Sequence, residues 1–575
     1  MTLLEALEIL REPAQEEEAF RVFLACGFTP LDLKTFLAAH LRRRLGSRAV
    51  EAGTGLYGDL VGSLESLDPR KWHALVAVIE WADLDPRLGL RSLGGWRGNA
   101  LEDIVKTVRR NLQRLESAML RVAEISPVCC SLPSLPLPPV SYRSPEQGGP
   151  FEWTLRQTLA ECGARLSEHL KIRLLNPERL DRVAPLKGRY SARADLAAGS
   201  PYTTEYASIL AHSIAGLAVP ALPKKGLITD LDDTLWSGIL GEVGSNGVGW
   251  DLEHRAQVHG LYQQLLASLA DAGTLIAVAS KNDPRLVEEI LNSGRLLLDR
   301  KCLFPIEANW GTKSESVARI LRAWNIAADS VVFVDDSRME LAEVGRVHQG
   351  MECLLFPKDD PTAALELFWD LRARFAKERI SEEDRIRSSS LQAAANRPDE
   401  SMMTPDDFQR SLEAVITIDS ACPPRDGRAL ELVNKTNQFN LNGRRYTETD
   451  WADRCRQPGI FVLEASYRDK FGPLGRVEVL SGRKTGDVAE IDCWVLSCRA
   501  FSRRIEHHTL KYVFDTLGVK EVALDFRKTD RNGPLQEFVE SLHPRASRQF
   551  LKITAEELER VCPLMCHSLE EVAVE

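Results

Sequence analysis

Lys225-Gly-Leu-Ile-Thr-Asp230-Leu-Asp232-Asp-Thr234-Leu-Trp236-Ser-Gly238 is the stretch from which the rest of this chain is read. Leu227, Ile228 and, after Asp230, Leu231 form a short apolar run that stops at carboxylates. Such a run predicts a buried parallel strand whose C-terminal end carries chemistry. Asp230 and Asp232 stand two apart and Thr234 follows, a D-x-D-x-T spacing. Taken alone, acids at a strand end are turn formers and helix caps.

Three further stretches change that reading. Leu275-Ile-Ala-Val-Ala-Ser280-Lys-Asn282-Asp-Pro284 is another apolar strand, ending in a hydroxyl and an amide. Asn309-Trp310-Gly311-Thr-Lys313-Ser314 puts a lysine at the start of an amphipathic helix. Val331-Val-Phe-Val-Asp335-Asp336-Ser337 is a third apolar strand ending in two acids. Singly, Ser280 reads as a helix cap, Lys313 as a solvated charge and Asp335 and Asp336 as a turn. In this order, at strand ends, they form a constellation.

The constellation resembles the haloacid dehalogenase-like (HAD) phosphotransferases. The resemblance implies that Asp230 attacks phosphorus and forms an aspartyl-phosphate. Asp232 would protonate the leaving oxygen and then activate water or another acceptor. Ser280 would hydrogen-bond a phosphoryl oxygen, with help from Asn282, and Lys313 would neutralise the phosphate and orient Asp230. A magnesium ion would be held by Asp230, Asp232, Asp335 and Asp336, quieting the repulsion between carboxylates and phosphate. Asp336 would ligate through water or hold Lys313. Thr234, Trp236 and Asn282 are expected to contact substrate.

Thr234-Leu-Trp236-Ser-Gly238-Ile-Leu-Gly241-Glu242, Ala279-Ser-Lys-Asn282 and Asn309-Trp-Gly-Thr-Lys-Ser314 narrow the likeness to the FkbH-like branch, HAD subfamily IIIC. That branch implies dephosphorylation of 1,3-bisphosphoglycerate and loading of the glyceryl group as a thioester on an acyl carrier protein. Asp233 stands where the branch usually has asparagine. Ser337-Arg338-Met339-Glu340 replaces its Asn-Pro-x-Glu. Both changes leave the metal carboxylates intact and alter the local loop.

The chain has 575 residues, enough for three to four domains, and 44% hydrophobic residues. A net charge of −10 argues against a general nucleic-acid binder. No apolar run is long enough to span a membrane, and the acidic, amphipathic start Met1-Thr-Leu-Leu-Glu-Ala-Leu-Glu8 does not read as a signal peptide. Twelve scattered cysteines suggest cytoplasmic usage rather than a disulfide framework. Cys562-x3-Cys566-His567 has metal-like spacing but no second ligand pair close by in sequence.

Residues 1–219 alternate strand and helix, which predicts an α/β domain with a mostly parallel sheet. Strands are expected at Phe20–Gly27, Val50–Gly58, His73–Trp81, Val128–Pro133 and Ile172–Leu175. Helices are expected over residues 1–20 and at Leu31–Leu45, Leu101–Ala123, Phe151–Leu170 and Thr204–Leu217. The order resembles the SGNH-hydrolase-like domain of longer FkbH-like proteins. Cys26-Gly-Phe-Thr29 has no serine after strand one, however, and the stretch holding Tyr202, Glu205 and His212 has no Asp-x-x-His. A hydrolytic role would have to recruit Thr29 or Cys26 with a histidine. The alternative is a degenerate docking or scaffolding domain.

The HAD-like domain is expected over 220–377. Between Asp232 and Ser280 there is room for a flap, Trp236–Trp250, and one helix, Leu252–Ala272, but not for a cap domain. An open site suits a large acceptor. Residues 378–403 read as a helix leading into a flexible linker. Residues 404–575 resemble the GNAT-like C-terminal domain of FkbH-like proteins, on Asn434-Lys-Thr-Asn437-Gln438-Phe-Asn440, Ser497-Cys498-Arg499, Glu506 and Asn532-x-Pro534. The turn Arg499-Ala-Phe-Ser502-Arg503-Arg504 lacks the glycines of a coenzyme A cradle. Arg499, Arg503 and Arg504 either hold a phosphopantetheine phosphate or form a solvated face. Cys498, Arg499, Asn437 and Gln438 are candidates for a carrier or acyl site, with Cys498 otherwise a buried structural thiol. His507 and His508 read as surface residues.

The sequence therefore predicts a three-domain α/β protein: an SGNH-like parallel domain, a capless HAD Rossmann-like core and a GNAT-like α+β domain. Its expected function is magnesium-dependent phosphoryl removal coupled to acyl transfer onto a carrier protein. The alternatives are a plain phosphatase and a non-enzymatic scaffold.

Overall fold

Successive residues of a strand face opposite sides of its sheet, and the first sheet shows this plainly. In β1 (Phe20–Ala25), Phe23 and Ala25 face one apolar layer while Val22 and Leu24 face another. A computed structural model describes the chain except for residues 15–17, 47, 94–95, 141–142, 145, 383, 386–390, 392–404, 502, 530, 543–550 and 573–575. The linker expected at 378–403 lies mostly outside the described residues, as does Ser502.

The described chain forms two compact units. The first comprises Met1–Ala221 together with Thr447–Asp453. With β2 (Val50–Thr54), β3 (Ala74–Val78), β4 (Val128–Ser131) and β5 (Ile172–Leu174), β1 builds a parallel sheet ordered β2-β1-β3-β4-β5. β3, at its centre, is buried along its whole length, as expected of a strand covered on both faces. Helix Leu101–Ala123 closes one face with a single stripe of Ile104, Val108, Leu112, Leu115, Met119 and Val122. Helices Leu31–Leu45 and Thr204–Ala218 close the other.

The segment Thr447–Asp453 fits into this unit through charge. Asp450 lies 2.7 Å from Arg48 Nη1 and 3.1 Å from His73 Nε2, and Thr449 Oγ1 donates to the His73 carbonyl at 3.1 Å. Burial alone would raise the Asp450 pKa, but hydrogen bonds from His73, Arg48 and Thr447 hold it well below the usual carboxylate range.

The second unit, Leu222–Tyr446 with Arg454–Glu575, carries two sheets. The first contains β6 (Gly226–Thr229), β7 (Leu275–Ser280), β8 (Leu303–Ala308), β9 (Val331–Asp335) and β10 (Glu352–Leu355), all parallel and ordered β10-β9-β6-β7-β8. After β8 the chain crosses back to place β9 beside β6. The reversal makes a crevice at the C-terminal ends of these two strands, where open α/β sheets bind ligands. Between Asp232 and Ser280 lie the Asp232–Trp236 and Ser237–Gly249 bridges, the short helix Leu240–Val243, helix Gln257–Asp271 and β7 itself.

The second sheet contains β11 (Val415–Asp419), β12 (Ile460–Asp469), β13 (Gly472–Thr485), β14 (Val488–Leu496), β15 (Glu521–Leu524), β16 (Leu551–Thr554) and β17 (Ser568–Glu571). Its order is β16-β15-β14-β13-β12-β11-β17, antiparallel except for the pairs β14–β15 and β11–β17. The α/β class expected from the sequence is borne out. Among the described residues no helix is long and apolar enough to cross a membrane.

Candidate active site

Each strand of the central crevice ends on a polar side chain because its apolar run ends there. β6 is followed at once by Asp230, β7 ends on Ser280 and β9 on Asp335. All three are buried, as is Lys313 at the first position of helix Lys313–Trp324, which Thr312 caps. The structure thus brings Asp230, Ser280, Lys313 and Asp335 to one end of one sheet.

Lys313 is the hinge of the arrangement. Its Nζ lies 3.0 Å from Asp230 Oδ2 and 2.5 Å from Asp335 Oδ2. Burial works against the lysine charge, but the two carboxylates outweigh it and hold its pKa above the usual range. Burial pushes Asp230 up to about 7, with Lys313 opposing and Asp335 adding to the rise. Asp335 is raised by burial as well, against the pull of Lys313. Its Oδ1 accepts the Ser337 N–H at 2.8 Å. Asp230 Oδ1 is buried and has no hydrogen-bond partner among the described residues. A buried carboxylate oxygen without a donor is costly unless something else occupies its lone pairs.

Asp232 is oriented by three donors. Oδ1 accepts Trp236 Nε1–H at 2.9 Å and the Leu240 N–H at 3.1 Å, and Oδ2 accepts Asn282 Nδ2–H at 2.9 Å. Asn282 also reaches Ser280 Oγ at 3.2 Å. Trp236, expected to contact substrate, is instead fully buried in the apolar core of this sheet. It reaches the site only through its indole N–H, which makes it a positioning residue. Thr234 is also fully buried, and its Oγ1 has no hydrogen-bond partner among the described residues.

Of the four carboxylates expected to hold a metal, three come together. One oxygen each from Asp230, Asp335 and Asp336 lies within 4.8 Å of the others. Asp232 is not in this group, because its carboxylate is turned to Trp236 and Asn282. Hard oxygen donors and an orphaned Asp230 oxygen fit a small divalent cation. Asp336 does not hold Lys313. It pairs with Lys358, whose Nζ lies 2.9 Å from Asp336 Oδ2 and 2.7 Å from Asp233 Oδ2. Asp233 has a left-handed backbone (φ 52°) and its Oδ1 accepts the Gly238 N–H at 2.8 Å. An aspartate here rather than asparagine gives Lys358 a second anionic partner. Sequence reading missed Lys358, although Cys353-Leu-Leu-Phe356 before it is a short apolar run of the same kind as the others.

Asn437, Gln438, Cys498 and Arg499 also come together, lining one cleft with Lys225, Leu275 and Ser330. Those last three lie at the N-terminal ends of β6, β7 and β9. The cleft therefore sits at the opposite end of the strands from Asp230, and Leu275 is separated from Ser280 by roughly 16 Å of extended chain. Arg503 and Arg504 do not join it. Arg503 donates to the Arg499 carbonyl at 2.7 Å, and Arg504 pairs with Asp406 at 2.7 Å. His507 and His508, read from sequence as surface residues, are half-buried, and His508 packs edge-on against His567.

Among the described residues of the first unit, neither candidate nucleophile meets a histidine. Thr29 Oγ1 donates to the Ala198 carbonyl at 2.7 Å, and the Cys26 thiol, pushed up to about 12 by burial, reaches the Phe28 carbonyl.

No protein-family model matches the chain, and no curated protein matches it. Among solved structures, the N-terminal part of BF1531 from Bacteroides fragilis, described as containing a phosphatase domain complexed with Mg, aligns with a TM-score of 0.52 at 19% identity. The alignment covers 66% of this chain and 100% of that one. The likeness is one of fold. A second solved chain aligns over 34% of this one at 15% identity, with a TM-score of only 0.21.

Proposed function

We propose that this chain is a magnesium-dependent phosphatase of the HAD type with Asp230 as its nucleophile. The observation that carries the reading is the state of Asp230. One oxygen is held by Lys313 at 3.0 Å and the other is buried without a donor. A carboxylate oxygen of Asp230 attacks phosphorus, the bond from phosphorus to the leaving oxygen breaks, and that oxygen takes a proton from Asp232. Water then attacks the aspartyl-phosphate, Asp232 takes a proton from it, and phosphate leaves with the Asp230 carboxylate restored. Ser280 and Lys313 bind the phosphoryl oxygens. Magnesium, held by Asp230, Asp335 and Asp336, supplies charge neutralisation to the phosphate.

The test is phosphate release from acetyl phosphate and 1,3-bisphosphoglycerate, with an acid quench to trap phosphorylated protein. Label that appears on wild type and is absent from Asp230→Asn supports the reading. Turnover that survives Asp230→Asn sinks it.

The finer reading is that of an FkbH-like glyceryl transferase. Its support is the Trp236 to Glu242 stretch, the Ala279-Ser-Lys-Asn282 and Asn309-Trp-Gly-Thr-Lys-Ser314 motifs, and the lack of an inserted domain between Asp232 and Ser280. In it the monoester phosphate of 1,3-bisphosphoglycerate is hydrolysed through Asp230. The acyl phosphate is displaced by the thiol of an acyl carrier protein, which leaves as a thioester. The same reading takes 1–219 as SGNH-like, 220–377 as HAD-like and 404–575 as GNAT-like, in a cytoplasmic protein. Intact-mass measurement of holo carrier proteins after incubation separates it from the plain phosphatase, which releases phosphate and leaves the carrier unmodified.

A further inference from the structure

Three carboxylates gather at the proposed cation site, and like charges stay together only when something positive stands between them. Asp230 and Asp335 share Lys313, at 3.0 Å and 2.5 Å. Asp336 brings an oxygen within 4.8 Å of theirs but is not paired with that lysine. Among the described residues its carboxylate pairs with Lys358 alone, at 2.9 Å. The Asp336 side chain is partly exposed, so repulsion from Asp230 and Asp335 favours a turn towards water wherever Lys358 lets go.

Lys358 follows β10, and its ammonium joins the loop after β9, through Asp336, to the loop after β6, through Asp233 at 2.7 Å. The Asp233 end is itself held. Asp233 Oδ1 accepts the Gly238 N–H at 2.8 Å, at the base of the Trp236–Trp250 flap. In the next residue, the Thr234 carbonyl is hydrogen-bonded at 2.9 Å to Nδ1 of the buried His259. The Lys358 bridge therefore has one anchored end, at Asp233, and one end, at Asp336, that depends on the bridge. Hydrogen bonds to Asp233 and Asp336 hold the Lys358 pKa above the usual lysine range, so the ammonium stays charged.

Resting on the magnesium reading of this cluster, we propose that Lys358 is a positioning residue of the cation site, holding Asp336 beside Asp230 and Asp335 from the anchor that Asp233 provides. Charge and position make opposite demands here, so the role can be measured. An ammonium beside the site repels a cation, and on charge alone its removal would tighten magnesium binding. As a positioning group, its removal frees Asp336 and leaves two carboxylates of three, so binding weakens. Partners that orient metal ligands from behind typically change affinity by about ten- to a hundredfold when lost.

The test is calorimetric titration of the full-length, metal-free protein with magnesium. Lys358→Met is expected to raise Kd about tenfold or more. Lys358→Arg, whose guanidinium can bridge two carboxylates, is expected to recover most of that loss. The metal-free thermal midpoints of both variants should stay near that of wild type, because a partly exposed ion pair contributes little to stability. Binding by Lys358→Met as tight as wild type, or tighter, overturns the proposal and leaves the cation site standing. So does a loss of affinity that follows a fallen metal-free midpoint and is not recovered in Lys358→Arg. Wild type that takes up no magnesium, or Asp335→Asn that binds it equally well, overturns the magnesium reading and the proposal with it.

Discussion

Trp236 donates its indole N–H to Asp232 Oδ1 at 2.9 Å from a ring that is itself fully buried. A core residue thereby aims the proposed acid–base group. Trp236→Phe keeps most of the ring and removes the donor. A hydrogen bond to a charged group contributes about 1.5–3 kcal/mol, so kcat should fall roughly ten- to a hundredfold. KM should change little and the thermal midpoint should stay near that of wild type. A drop in KM affinity with kcat intact would instead return Trp236 to substrate binding.

Lys313 faces two buried carboxylates, and Lys313→Met leaves them facing each other. Breaking a buried ion pair by removing one partner costs about 3–5 kcal/mol. Burial pushes Asp230 up to about 7 even with Lys313 opposing it, and without Lys313 its pKa lies higher still, so at and below that pH one carboxyl takes a proton and the repulsion is relieved. Urea unfolding should show the deficit of the variant shrinking as pH falls through this region and growing above it.

Magnesium binding to Asp230, Asp335 and Asp336 should stabilise the fold by mass action, about 2.7 kcal/mol at a hundredfold excess over Kd. The thermal midpoint of wild type should rise with added magnesium. Asp335→Asn keeps the shape and loses a ligand charge, and its midpoint should be nearly insensitive to the ion. Equal shifts in both proteins would place the ion elsewhere.

Glu478, in the seven-stranded sheet, is fully buried, receives Trp494 Nε1–H at 2.6 Å and is hydrogen-bonded to Thr509 Oγ1. Burial pushes its pKa up to about 8. The folded state therefore keeps a proton that the unfolded chain gives up near 4.5. The contribution to stability is complete below the unfolded value and is lost as pH rises through about 8, at up to about 1.4 kcal/mol per pH unit. Glu478→Gln removes this titration, so its unfolding free energy should depend less steeply on pH over that window.

Some elements could be read directly from the sequence. Leu31–Leu45 and Leu101–Ala123 begin and end where their apolar spacing says they should; the second presents one stripe to its sheet, while the first is buried over Phe36–Arg42. The strands bearing Asp230, Ser280 and Asp335 were equally plain, since a fully buried parallel strand is a run of apolar residues. What escaped was held by distant partners. Glu448–Cys455 is polar along much of its length, and its anchors are Arg48, His73 and Arg173, hundreds of residues away. β17 is exposed throughout and owes its place to backbone pairing with β11, so it has no burial pattern to read. Arg504 read as either a phosphate ligand or part of a solvated face, because nothing local shows that Asp406 would claim it. The direction of Trp236 is of the same kind: an aromatic beside a catalytic motif can face the substrate or the core, and the sequence does not distinguish them.

The placement of Thr447–Asp453 in the first unit bears on how the protein can be taken apart. The chain passes between the units three times, after 221, 446 and 453. A single cut after 221 leaves Thr447–Asp453, part of the first unit, on the other fragment. A fragment ending at 221 would keep Arg48 and His73 and lose Asp450, the carboxylate that both contact. The first unit is built from two stretches of chain, so no single cut excises it whole.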